Sequence, residues 1–454
     1  MSKSGRFIRS FAALILVGAM ALTACDGNAQ SQASVDESTE QVMSSKADEL
    51  SSLIDGGVTE LENKEIIWLA WWTLDVGTPE VDAFMSMYGG TIKNRSTTWD
   101  NRYTDLANQI ISEDSPDIFP FETANFPSGI INNMYQPIDD YIDLNSDLWA
   151  SSKEMLDGYM WGGKHYIATA YIAPDSMLIY NKKTIDENGL DDPQDLFDEG
   201  NWTWDTMYDL MDEYTALDDT YNGINDFKII VPSMVCTTGV PTIGIDDGQL
   251  VNNLRTKEVE RAQNFLLDIS KNGLNISDGD HASDIAAGTL LFYIGGFWGD
   301  IMGTFTPKTI ENLAEDVWFV PFPRDPDADE YFNLYTVDAH ILVEGAPNPE
   351  GFAAWITCRR LVKIDEDLTR MDAEMCLSKY NLPLEHYYHF MKYWDPASLG
   401  MTPIADYTNG AELGRKATNA LNYDSFRDGI TWAETREAYY AAVQEKVDEM
   451  NAGK

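Results

Sequence analysis

Three short stretches set an aromatic ring beside a carboxylate just where an extended run stops. Trp72 precedes Asp75 in "WLAWWTLD", Trp99 adjoins Asp100 in "TTWD", and Phe121 adjoins Glu122 in "SPDIFPFETANFP". Loops at such places usually carry small polar side chains. Rings there suit a molecule with an apolar face and a hydroxyl rim, because flat rings stack while planar polar groups accept hydrogen bonds from the rim. Each residue also has a plainer reading. Trp72 can join the core, although Trp68 takes that place more naturally, and Trp71 and Trp72 cannot both face one side of a strand. Asp100 can simply complement a helix N-terminus.

Patterns for catalysis are weaker. Glycoside hydrolysis needs two carboxyl groups about 5–10 Å apart. With 75 Asp and Glu in the chain such pairs arise by chance, and no strand-end motif resembles an acid/base pair. No G-x-S-x-G run offers a nucleophile. His386 and His389 in "EHYYHF" stand three apart on an expected helix. That spacing permits a metal, yet H-E-x-x-H is absent and a packed or surface pair is the plainer reading. No cofactor and no metal is expected, and the chain reads as a binder rather than an enzyme.

The elements that must hold these residues follow from periodicity. "EIIWLAWW" is a buried-strand run, and "PEVDAFMSMYG" is a helix with Pro79 in its first turn. "TIKNRST" is a second strand, Thr98 caps a helix "WDNRYTDLANQIIS", and "DIF" is a third strand that stops at Pro120. Alternating strands and helices predict an α/β fold with parallel, doubly wound sheets. Ligands of such sheets sit beyond the carboxyl ends of the strands. The loops bearing Trp72, Trp99 and Phe121 all fall on that edge. Further along, strands are expected on both sides of Pro174-Asp175, in "GTLLFYIGG" and in "VWFVPFP". Helices are expected in "NWTWDTMYDLMDEY" (capped by Thr203), "TKEVERAQNFLLDIS", "NPEGFAAWITCRRLV" and the tail from 431 to 449.

Size and charge narrow the partners. The chain has 454 residues and a net charge of -44, enough length for two or three cores. Nucleic acid is excluded as a partner, since its binding rests on cationic neutralisation of phosphates. Lys3, Arg6 and Arg9 precede the apolar run "FAALILVGAMAL", which is short for a membrane span, and "LTAC" ends at Cys25. This resembles a bacterial lipobox, in which the cysteine is lipidated. Residues 26–63 lack aromatics, proline and cysteine and read as a tether at least in their first part, with "VMSSKADELSSLI" able to form an amphipathic helix. Cys236, Cys358 and Cys376 then remain, an odd number with no zinc-like spacing.

The order of these motifs resembles the extracellular solute-binding proteins of ABC importers, in particular the sugar-binding group that includes maltose-binding protein. The resemblance rests on "SPDIF", "MYQPIDDYI", "GKHYIATAYIAPDSMLIYNKKTIDENGL", "WTWDTM", "AAGTLLFYIGGFW", "WFVPFP" and "NPEGFAAWITCRRL", in that order from Lys64 to Leu361. It implies two α/β lobes of the periplasmic-binding-protein type joined by a hinge, closing on a ligand that is passed to membrane permease subunits. The implied organisation is a signal peptide over 1–24, a lipidated Cys25 and tether over 25–63, and a first lobe over 64–173 and again over 336–392. The second lobe spans 174–335, and a helical part mainly of that lobe spans 393–454. The protein is expected to be a monomer held by its lipid on the outer face of the cytoplasmic membrane.

By the same resemblance Phe121 is the stacking aromatic of the first lobe, with Glu122 or Asn125 in the polar role. Trp298, after Gly295-Gly296, stacks from the second lobe, and Asp300 can accept hydroxyl hydrogen bonds. Tyr171 and Asp175 flank the first crossing, and Tyr335 sits at the second. Trp204 resembles a tryptophan that is commonly structural. A peptide, a polyamine or another cation is the alternative ligand, because Glu122, Asp175 and Asp300 suit it too.

Overall fold

The apolar run Glu65–Ala70 forms strand β1, and its alternation shows why. Ile66, Trp68 and Ala70 enter one core cluster with Val81, Phe84, Phe352 and Trp355, while Leu69 enters the opposite one with Leu106 and Phe119. A strand buried on both faces is what a parallel sheet with helices on each side requires. The structure is a computed structural model. It describes residues 41–453 except 44, 227–228, 277–280, 297–315, 381–382 and 425, and it leaves aside the side chains of 154, 376–377 and 379–380.

Strands β2 (Thr91–Ser96) and β3 (Ile118–Pro120) pair with β1 in parallel. The helix Pro79–Tyr88 begins on its proline and ends at Gly89, whose φ of 64° closes the last turn. Asp117, buried ahead of β3, accepts from the Ile67 and Asn348 backbone N–H groups at 2.8 and 2.6 Å. Asn348 in turn caps the helix Pro349–Ile364 by accepting from Gly351 N–H. The "PD" of the third strand therefore ties β1, β3 and that helix together.

A small ribbon of β4 (Met160–Trp161) and β5 (Lys164–His165) follows, and then the long β6 (Ile167–Pro174). After Asp175 and Ser176 the chain enters a second sheet. Its strands are β7 (Met177–Asn181), β8 (Asn222–Asn225), β11 (Asn275–Ile276), β12 (Leu290–Gly295) and β13 (Val317–Val320), ordered β11-β8-β12-β7-β13. A hairpin of β9 (Ile243–Asp246) and β10 (Gln249–Asn252) lies beside it. The chain then returns through β14 (Tyr331–Leu342), which pairs antiparallel with β3 and β6, and later through β15 (Met401–Ile404), which pairs parallel with the start of β14. Each sheet thus has three neighbouring parallel strands at one end, β3-β1-β2 and β11-β8-β12, with antiparallel pairing beyond them.

The helices Arg415–Tyr423 and Trp432–Ala452 lean on the second sheet's side: Gln263 donates to the Leu421 carbonyl, and the Asn451 amide exchanges hydrogen bonds with the Leu250 backbone. The folded part starts earlier than Lys64. Helical residues 41–43 and 45–51 bury Met43 and Leu50 in the first sheet's core, and Lys46 holds Asp365 at 2.6 Å. Two apolar residues seven apart suffice to dock this segment, despite its polar composition. The region expected as tether therefore includes a packed helix. Among the described residues no helix is long and apolar enough to cross a membrane.

Candidate functional site

The carboxyl edge of the first sheet carries a group of aromatic side chains. Trp68 is wholly buried, and its Nε1–H donates to the Trp72 carbonyl at 3.0 Å, which turns the chain sharply after β1. The turn leaves Trp71 half-buried and Trp72 exposed by 42%. Past β2, Trp99 is exposed by 55%. The three rings meet edge to face: Trp71 lies 4.7 Å from Trp72 and 4.9 Å from Trp99, centroid to centroid. Such contacts fix ring orientation and leave apolar faces toward the solvent.

Arg102 stands at the centre of the group. The helix expected from Thr98 begins instead at Arg102, because Thr98 turns its hydroxyl to accept from Asn101 N–H at 3.2 Å. That turn lifts Trp99 outward. The Arg102 guanidinium lies 3.8 Å over the Trp99 ring and 4.5 Å from the Tyr103 ring. Its Nε and Nη2 donate to the two oxygens of Glu122 at 2.6 and 2.7 Å, and Nη1 donates to the Trp99 carbonyl. Burial alone would lower the Arg102 pKa, yet the Glu122 hydrogen bonds and charge hold it above the usual arginine value. Sequence reasoning missed Arg102. The available signal was its spacing, three residues after Trp99 at a helix start, which sets a cation over a ring.

The other expected residues fall in several places. Asp75 and Asp100 are exposed, and Asp75 accepts from the Thr73 hydroxyl at 2.9 Å. Phe121 was expected to present its ring, but it is only 7% exposed, edge-on to Phe126 and Tyr159. Pro120 does not end the ladder: Phe121 N–H donates to the Ala339 carbonyl at 3.0 Å, and this extra rung turns the ring into the core. The Asn125 amide donates to the Tyr135 hydroxyl, and its oxygen accepts from Ser128. Tyr171 stacks on Trp394 at 4.4 Å, so a ring face expected for ligand is taken by a neighbour. Tyr335 is buried among Ala173, Met177 and Tyr393. Trp298 and Asp300, and Cys25 at the other end of the chain, lie outside the described residues.

Asp175 sits where the chain passes from one sheet to the other. Its N–H donates to the Leu334 carbonyl, and its own carbonyl lies against Gly296 at the end of β12. No hydrogen bond reaches its carboxylate among the described residues, and burial pushes its pKa up to about 6. A cavity of about 930 Å³ borders β6 at Tyr171, between Met155, Val240, Asp246, Trp394 and Tyr407.

Trp202 and Trp204 are core residues, donating to the Pro321 carbonyl and the Thr237 hydroxyl. His386 and His389 are buried with Nε2 directed at the carbonyls of Val317 and Phe319. Among the described residues no His, Cys, Asp and Glu group is arranged to hold a metal. Cys236 and Cys358 are free and buried.

Residues 77–358 match the family model of bacterial extracellular solute-binding proteins. No curated protein matches the chain. Solved structures share its fold. The cyclic alpha-maltosyl-1,6-maltose binding protein of Arthrobacter globiformis aligns with a TM-score of 0.64 at 12% identity, over 85% of this chain and 99% of that one. The sugar-binding protein MalE of Xanthomonas citri gives 0.60 at 13%, over 86% and 97%. A binding protein of B. animalis subsp. lactis, in complex with beta-1,6-galactobiose, gives 0.55 at 16%, over 86% and 98%.

Proposed function

The chain belongs to the bacterial extracellular solute-binding proteins, and on that footing we propose that it captures a carbohydrate, an oligosaccharide, between two lobes and presents it to the permease of an ABC importer. The observation that carries this reading is the group of Trp71, Trp72 and Trp99 on the carboxyl edge of the first sheet, with two of the rings open to solvent. Rings of that kind suit the apolar faces of sugars. The structures named above, two of them proteins described as sugar binders and one holding a galactobiose, support the same ligand class.

The action is capture without bond-making. Ligand contacts with both lobes favour a closed arrangement over open ones. Trp298 is the proposed contact from the second lobe, with Asp175 and Asp300 as acceptors for hydroxyls. A cationic ligand is less suited, because Glu122 spends its charge on Arg102.

The test is thermal stabilisation against oligosaccharides, peptides and polyamines. A binder at 100 times its Kd stabilises by about 2.7 kcal/mol. Stabilisation by polyamines or peptides and by no carbohydrate would refute the reading. The anchor is proposed to be lipid on Cys25: Cys25→Ser is expected to release the protein from membranes, and retention would reject it.

A further inference from the structure

We propose that Arg102 is a positioning residue that gives the tryptophan surface its specificity for uncharged sugar rings. This rests on the carbohydrate reading above. Arg102 and Glu122 form a pair whose side chains are only 13% and 17% exposed, joining the loop after β2 to the loop after β3. The guanidinium covers one face of Trp99 and lies 5.6 Å from the Trp71 ring. Trp99 therefore leaves its other face open to solvent, in one orientation. Lysine does this less well, since it lacks the planar fork that lies flat on the indole while separate N–H groups reach both carboxylate oxygens and the Trp99 carbonyl.

The pair also sets what the surface accepts. Glu122 uses one lone pair on each oxygen for Arg102, and a carboxylate has about four such sites. It can still accept from hydroxyls, while its charge is cancelled on the spot. Arg102 has five N–H donors and uses three, on Glu122 and the Trp99 carbonyl. The combination accepts from and donates to hydroxyls, and it gives an ammonium group little net attraction. A neutral oligosaccharide is preferred over its amino-sugar counterpart.

Calorimetry with maltotetraose, xylotriose and β-1,6-galactobiose as probes tests this, on wild type, Arg102→Lys, Arg102→Met, Glu122→Gln and Arg102→Met/Glu122→Gln. The probe that binds wild type is expected to lose at least tenfold with Arg102→Met and to stay weak with Arg102→Lys, at unchanged melting temperature for the lysine variant. The double variant is expected to bind no worse than Arg102→Met alone. Lysine binding within twofold of wild type, or additive losses, overturns the proposal. If no probe binds wild type, the carbohydrate reading is decided by the stabilisation test above, and Arg102 is judged in the free protein. Arg102→Met must then alter the tryptophan bands in near-ultraviolet circular dichroism, and an unaltered spectrum overturns its positioning role.

Discussion

Asp175→Asn is expected to make the ligand-free protein more stable at neutral pH. The carboxylate is largely enclosed at the passage between the two sheets, and no described residue donates a hydrogen bond to it. Burial raises its pKa from 3.8 to about 6. Each unit is worth about 1.36 kcal/mol, so holding the group ionised costs the folded state up to about 3 kcal/mol at pH 7. Its partial contact with solvent reduces this, and about 1–3 kcal/mol is the expected gain. The direction with pH is fixed. Between pH 4 and 6 the folded chain keeps a proton that the unfolded chain has released, so this group's contribution falls as pH rises through that window. Urea denaturation of wild type and variant at pH 7 and pH 3.5 measures it. The variant should gain at pH 7, and the gain should vanish at pH 3.5. No gain at pH 7, or an equal gain at both, refutes the reasoning. If Asp175 accepts from ligand hydroxyls as proposed, the same variant should also bind sugar more weakly.

Trp72→Ala and Trp99→Ala should each weaken carbohydrate binding about tenfold or more, roughly 1.4 kcal/mol, with stability lowered by about 1–2 kcal/mol through the lost ring contacts and the fold kept. Calorimetry and denaturation read the two effects separately. Arg359→Met should destabilise by a few kcal/mol, below the about 3–5 kcal/mol of a fully buried pair, because Arg359 donates twice to Asp338 at 2.9 Å and its loss strands a half-buried carboxylate. Burial would raise the Asp338 pKa, but Arg359 holds it well below the usual range. The pair's contribution is thus complete above about pH 4 and is lost as pH falls further toward the folded value. Gly410→Ala should cost about 1–3 kcal/mol by overpacking, since a Cβ there would overlap the Phe126 carbonyl oxygen. A melting temperature equal to wild type would reject that contact.

The order of strands and helices was legible because each is announced within its own few residues. The Thr203 capping box, Pro349 in a first turn and the alternation of Ile66, Trp68 and Ala70 are local signals. The antiparallel pairing of β6 with β14 was not, for it joins residues more than 150 positions apart. Trp72 and Trp99 stand exposed because a strand end and a loop turn place them so. Phe121 misled because nothing local says that its N–H finds Ala339 and carries the ladder one rung past a proline. Arg102 escaped notice because a cation at a helix start reads first as solvation, and its role appears only when Glu122, twenty residues later, meets it in space.

The clamp of Arg359 on Asp338 has a mechanical consequence. On one side, β14 is fastened to the helix Pro349–Ile364. Four residues earlier, the Leu334 carbonyl accepts from Asp175 N–H, at the doorway to the second sheet. Between these points Tyr335, Thr336 and Val337 face Pro174, Ala173 and Ile172. This short double strand, with β15 paired to the start of β14 beside it, is one place about which one sheet can turn against the other. Twisting it by a few degrees moves nearby side chains little and the outer rims far. Substitutions at Thr336 or Ala173 are therefore expected to alter how the two sheets move against each other without touching Trp71, Trp72 or Trp99.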